Sequence, residues 1–295
     1  MSCRTRGYLI TLLGVLAISP DGLLTRLIQA DALTIAFWRG LLYGCVILMV
    51  SALRYRSRFL ARLGQFSGYE YAIMVLYGVG NFCFIYSITH TSVANTLFML
   101  STTPIWAAVI AWLFLGEQVP RRTWFAIMMV ILGIGIISRG SMESESAWIG
   151  DMVGLIAAGF LAAQFSVIRA APTLDILPAM GLGGLLAALV LSTWVDPGAT
   201  ANSDMFWLIV MGVVMLPVAN ALMYLGPRYL PAPEVGLMML LETVLGPIWV
   251  WLALGENPGL YSLLGGAIVL STLAINTFLG IREDRAHRVI RGINA

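Results

Sequence analysis

Ten apolar stretches follow one another along the chain, at about residues 8–28, 33–53, 69–89, 94–115, 122–138, 147–168, 176–194, 205–225, 233–254 and 260–280. Each approaches the roughly 20 residues that an α-helix needs to cross the hydrocarbon core of a bilayer. Turn residues separate them: Gly116-Glu117-Gln118-Val119-Pro120, Ala171-Pro172, Asp196-Pro197-Gly198, Gly226-Pro227 and Gly255-Glu256-Asn257-Pro258-Gly259. The pattern predicts an all-α membrane protein of ten transmembrane helices with short connections. The first run has no convincing small-residue cleavage site, and Pro20, Asp21 and Arg26 follow where one would be expected. It reads as a retained helix rather than a signal peptide.

The pattern is duplicated. Trp112-Leu113-Phe114-Leu115-Gly116-Glu117 recurs as Trp251-Leu252-Ala253-Leu254-Gly255-Glu256, 139 residues further on. Asp21 to Arg26 aligns with Gln164 to Arg169 at an offset of 143. Each unit therefore holds five helices, and an odd number turns the second unit upside down relative to the first. The predicted division is residues 1–140 for the first repeat, 141–280 for the second, inverted repeat, and 281–295 for a basic tail. Inverted repeats of this kind build transporters, with the substrate site near the midplane between the halves.

Composition closes off other classes. Apolar residues make up 59% of the 295 positions and charged residues 11%, with mean hydropathy +0.88. A soluble domain carries about a quarter of its residues charged, so lipid is the expected solvent, and little chain is left for a separate catalytic domain. Every basic residue is Arg, and with the N-terminus in the cytoplasm 14 of the 17 fall on the cytoplasmic side. Arg26, Arg39 and Arg139 are the exceptions, all near helix ends. This asymmetry puts both termini in the cytoplasm. The sequence carries no phosphate-cradling Gly-Lys-Ser/Thr loop and no metal-ligand spacing. The two histidines, His90 and His287, belong to no nucleophilic triad. Cys3, Cys45 and Cys83 follow no disulfide spacing. No cofactor, no metal, no nucleic-acid partner and no enzymatic activity are expected.

Polar residues inside apolar runs are costly unless partnered or wet, so each is a candidate. Glu242 falls near the middle of the ninth run, either lining a cavity or coupling protons, or else protonated and cross-linking helices. Its repeat mate is Thr103. Ser19-Pro20-Asp21-Gly22 interrupts the first helix, because proline removes a backbone donor. Asp21 either faces the cavity or pairs with Arg26 or Arg39. Gln164 is the repeat mate of Asp21. Tyr77 and Asn81 share a face of the third helix, and Asn220 and Tyr224 share one of the eighth. Ser101 and Thr103 either contact substrate or bond carbonyls released by Pro104. No cationic side chain is expected at mid-depth, which argues against phosphorylated substrates.

The five-helix repeat with Leu-Gly-Glu closing each fourth helix, together with Tyr86-Ser87-Ile88, Thr91-Ser92-Val93-Ala94 and Thr103-Pro104, resembles the EamA-type drug/metabolite transporter superfamily. Within it the chain looks most similar to bacterial inner-membrane exporters of amino acids, aromatic ones included. Thr243 stands where the first repeat has Pro104, a departure from the family pattern. The resemblance implies a bundle with helices 1, 3, 4, 6, 8 and 9 around a central cavity. It also implies export of amino acids or similar small solutes by alternating access, from a monomer or weak homo-oligomer in the inner membrane. Two further classes stand beside it: an exporter of cationic drugs that uses Glu242 as counter-ion, and an intramembrane lipid-modifying enzyme or passive channel.

Overall fold

A computed structural model describes residues 3–115, 121–141, 145–171, 174–225 and 232–293. The first five spans are built from α1 (Cys3–Ile18) with α2 (Asp21–Leu27), α3 (Ala32–Tyr55), α5 (Gly68–His90), α6 (Val93–Leu100) with α7 (Thr103–Leu115), and α8 (Arg121–Ser141); α4 (Phe59–Gly64) is a short connector. The next five are α9 (Glu145–Ala170), α10 (Leu177–Leu191), α11 (Asn202–Ile209) continued through a π-helical turn into α12 (Leu216–Leu225), α13 (Ala232–Leu254) and α14 (Leu260–Ile293). Seven are long and apolar enough to cross a membrane, and the apolar parts of α10, α13 and α14 supply three shorter ones. The ten-helix expectation is met. The last helix differs in length, running on past the apolar run to Ile293.

Local chemistry sets the ends and breaks. Asp31 caps α3 by accepting from the backbone N–H of Leu33 (3.1 Å) and Thr34 (3.3 Å). Partial burial pushes its carboxyl up, but these bonds and the Thr34 hydroxyl outweigh that and hold it below the ordinary value. Glu70 closes a capping box at the start of α5, accepting from the Ser67 N–H at 2.7 Å and pairing with Arg62. The first span breaks at Ser19-Pro20 and the fourth at Ser101-Thr102. In the eighth span the π-helical turn Val210–Met215 lies just before Pro217, whose missing N–H cannot extend a regular ladder.

The helices pair with two-fold symmetry. The second span packs on the seventh (α3 on α10), the fifth on the tenth (α8 on α14), and the fourth on the ninth (α6 on α13). The third packs on the sixth (α5 on α9), and the equivalent pair, the eighth on the first, is α12 on α1. Exchanging each span with the one five places along reproduces this set, as two inverted five-helix repeats require. Lipid tails are as apolar as leucine, so close backbone approach rather than hydrophobic burial joins such helices. A Cβ on Gly40 would lie 2.6 Å from the Gly184 carbonyl oxygen, and one on Gly184 would lie 2.8 Å from that of Gly40. Gly133 and Gly265 form the same reciprocal contact at 2.9 and 2.5 Å. Both glycine pairs lie where a helix meets its own repeat mate. Large apolar side chains such as Phe125, Met128, Leu189 and Leu252 point outward.

Overpacking such a contact costs about 1–3 kcal/mol. Gly184→Val is therefore expected to lower the thermal unfolding temperature in detergent, whereas Gly135→Val, where an added Cβ meets nothing within 4 Å, leaves it unchanged. Equal losses at both positions would show that helix propensity, not interhelical contact, governs the effect.

Candidate functional site

The core is organised around one buried ion pair. Asp21 opens α2 just after the Pro20 break, and Arg39 lies two turns into α3. The guanidinium grips the carboxylate with two bonds, Nη1 to Oδ1 at 2.5 Å and Nη2 to Oδ2 at 2.7 Å, and both side chains are only 6% exposed. Its Nε donates to Asn81 Oδ1 at 2.8 Å, Nη1 reaches Met211 Sδ at 3.2 Å, and the Phe84 ring lies 5.3 Å from its centre. Spans 1, 2, 3 and 8 thus converge on one cation. Close by, Ser19 Oγ bonds the Leu16 carbonyl and accepts the Trp249 indole N–H at 3.0 Å, which brings in span 9.

A second tier lies one helical turn deeper. On α5, Tyr77 is a turn below Asn81, and its ring stacks on buried Tyr43 with centroids 5.1 Å apart. Asn220 lies beside the Tyr43 hydroxyl. The antiparallel register of α5 and α9 is fixed by the close approaches of Gly150 to Thr91, Gly154 to Ser87 and Gly80 to Phe160. That register makes Gln164 level with Tyr77. On α13, Gly246 approaches the Ser19 carbonyl, so Glu242, a turn before it, falls on the lower tier as well. Glu242 is within electrostatic reach of both Asp21 and Arg39.

Three groups of this tier carry unmet polarity. The Gln164 amide Nε2 and the Tyr43 hydroxyl are buried without a hydrogen-bond partner among the described residues. Glu242 is half-buried and forms no hydrogen bond or ion pair with any described residue. A buried amide donor and an open carboxylate at one height can receive a carboxylate and an ammonium.

The remaining candidates divide. The hydroxyls of Ser101 and Thr103 bond the carbonyls of Phe98 (2.7 Å) and Leu100 (2.6 Å), as Thr102 does that of Met99, so they close the helix break before Pro104. The side chain of Tyr224 lies outside the described residues. His90 ends α5 with its ring stacked on Tyr86 at 3.9 Å.

The sequence reading named Arg39 only as one of two possible partners of Asp21, and Tyr43 and Asp151 escaped it. Arg39 is no helix-end anchor but a buried cation, contrary to the expectation of a core without one; Asp21 neutralises it, so it still offers no free charge to a phosphate. Its sequence signal was position, an arginine inside an apolar run rather than flanking it. Tyr43 gave no signal beyond its aromatic ring. Asp151, a lone acid inside the sixth run, is fully buried and accepts from Thr91 Oγ1 at 2.7 Å and Asn95 Nδ2 at 3.2 Å.

Comparison with known proteins agrees with this architecture. The EamA-like transporter family matches residues 5–139 and again residues 148–278. The pseudopaline exporter CntI of Pseudomonas aeruginosa (strain UCBPP-PA14) is 26% identical over 195 residues, 64% of this chain and 67% of that protein. The uncharacterized transporter YdfC of Bacillus subtilis (strain 168) is 26% identical over 192 residues, 63% of this chain and 62% of its own length. A solved crystal structure superposes with a TM-score of 0.62 at 17% identity, over 94% of this chain and 98% of that one, a likeness of fold alone.

Removing one partner of a buried ion pair strands the other, at a cost of about 3–5 kcal/mol, whereas replacing both with apolar groups is often neutral. Arg39→Met is accordingly expected to destabilise the protein strongly in detergent, and the double variant Asp21→Leu/Arg39→Met to recover most of the loss. A double variant as unstable as the sum of the single ones would show that the pair matters for more than its charges.

Proposed function

We propose that this chain, which belongs to the EamA-like transporter family, exports amino acids or similar small zwitterions by alternating access between its two inverted repeats. The arginine-rich end, with Arg54, Arg62, Arg121 and Arg282, faces the cytoplasm of a bacterial cell under the positive-inside rule. Substrate enters from that end and leaves from the arginine-poor one. One of the relatives is named as an exporter, which supports the direction.

The reading rests on the lower tier. Glu242 is the counter-ion for the substrate ammonium, and the unpartnered Gln164 amide hydrogen-bonds its carboxylate. The stacked Tyr43 and Tyr77 rings and the neighbouring Asn220 bound the space for the side chain. Ser19, Asp21 and Asn81, with Arg39, form the tier above, where the substrate is passed on its way out.

A second reading is favoured by one observation. Arg39 is already engaged by Asp21, so Glu242 has no basic side chain of its own among the described residues, and a site with one such acid also suits a cationic drug or metabolite.

Counterflow in proteoliposomes separates the two. Saturable, stereoselective exchange of amino acids is expected, lost in Glu242→Gln. Gln164→Ala is expected to raise the half-saturation concentration about tenfold, the factor that follows from losing a hydrogen bond to a charged group. Exchange of quaternary ammonium dyes with no amino acid flux would replace the zwitterion reading with the cationic one. Unchanged half-saturation in Gln164→Ala would move that residue out of the site.

A further inference from the structure

Above the two tiers, at the arginine-poor end, the two repeats are joined by a second ion pair. Arg26 Nε, in the last turn of α2, lies 3.2 Å from Glu256 Oε2, and its Nη2 donates to Glu256 Oε1 at 3.3 Å and to the Thr91 carbonyl at 2.5 Å. Glu256 Oε1 also accepts the Val93 N–H at 3.4 Å. The contact therefore ties the ends of spans 1, 3 and 9 and the start of span 4 across the repeat boundary. It stands on a firm base, because Thr91 is anchored to buried Asp151, and Asn95, bonded to the same carboxylate, accepts from Ser262 at 2.5 Å.

The two ion pairs differ in what breaking them entails. Asp21 and Arg39 are each 6% exposed, and separating them would leave charges in hydrocarbon. Arg26 and Glu256 are 26% and 29% exposed, so water solvates both when they part. A partly hydrated pair contributes little net free energy in either state, which is what a contact made and broken in every cycle requires.

We propose that Arg26–Glu256 is the latch that holds the arginine-poor end together and that it must part for this end to open. The proposal rests on the transporter reading but does not depend on which substrate moves.

The test reads conformation, not flux. Ala94 is buried in the small crevice beneath the latch, beside Val93, Pro247, Val250 and Glu256. In the full chain with Cys3, Cys45 and Cys83 replaced by serine, Ala94→Cys is labelled by a membrane-impermeant maleimide from the arginine-poor side. Glu256→Gln and, independently, Arg26→Gln are expected to speed labelling about two- to fivefold, the range for losing a part-exposed ion pair. The exchange Arg26→Glu/Glu256→Arg is expected to restore the parent rate. Labelling unchanged by both neutralising variants, or an exchange that fails to restore it, would overturn the latch. Absent amino acid counterflow together with the expected labelling would instead count against the substrate reading alone.

Discussion

A guanidinium buried in a lipid-facing bundle must bring its counter-charge with it. Arg39 and Asp21 meet this constraint with a bidentate pair that the surrounding helices then satisfy bond by bond. Asn81 takes up the remaining Nε donor, and Met211 and Phe84 give the cation polarizable neighbours. Because these partners come from four spans, the pair fixes how far α2, α3, α5 and the π-helical segment can move apart. The break at Ser19-Pro20 is part of the same solution. It lets α2 begin with Asp21 in place to meet Arg39, and it leaves Ser19 to receive Trp249 from the other repeat.

Around this fixed point the structure separates rigid contacts from yielding ones. Reciprocal glycine contacts join α3 to α10 and α8 to α14 backbone to backbone, so these pairs are suited to act as a frame. The spans that carry the polar tiers are interrupted or kinked: α1 with α2, α6 with α7, and α11 with α12. A broken helix can pivot at its break while the hydroxyls of Ser101, Thr102 and Thr103 keep the loosened carbonyls bonded. The ion pairs follow the same division, dry and permanent at Asp21–Arg39, wet and reversible at Arg26–Glu256.

The lower tier owes its chemistry to what is left unpaired. The Gln164 amide and the Tyr43 hydroxyl are buried without a hydrogen-bond partner among the described residues, and the Glu242 carboxyl lies at the same height. Tyr43 and Tyr77 add a stacked aromatic wall at the same height. A small solute that is polar at one end and apolar along its side chain matches both features.

The sequence by itself determined the spans, their number and their inversion. Hydrocarbon tolerates no unsatisfied backbone, so apolar length alone marks a crossing, and the recurrence of Trp-Leu-X-Leu-Gly-Glu marks the repeat. It also marked Ser19, Asp21, Asn81, Gln164 and Glu242, since a polar residue within an apolar run is conspicuous without any structure. Only the tertiary structure decided which of these meet. Arg39 pairs with Asp21 rather than standing at a helix end, Asp151 binds Thr91 and Asn95 from other spans, and Ser101 and Thr103 turn to their own backbone. Those choices depend on the register of one helix against another, which glycine contacts tens or hundreds of residues apart in the chain set, and no local pattern carries that information.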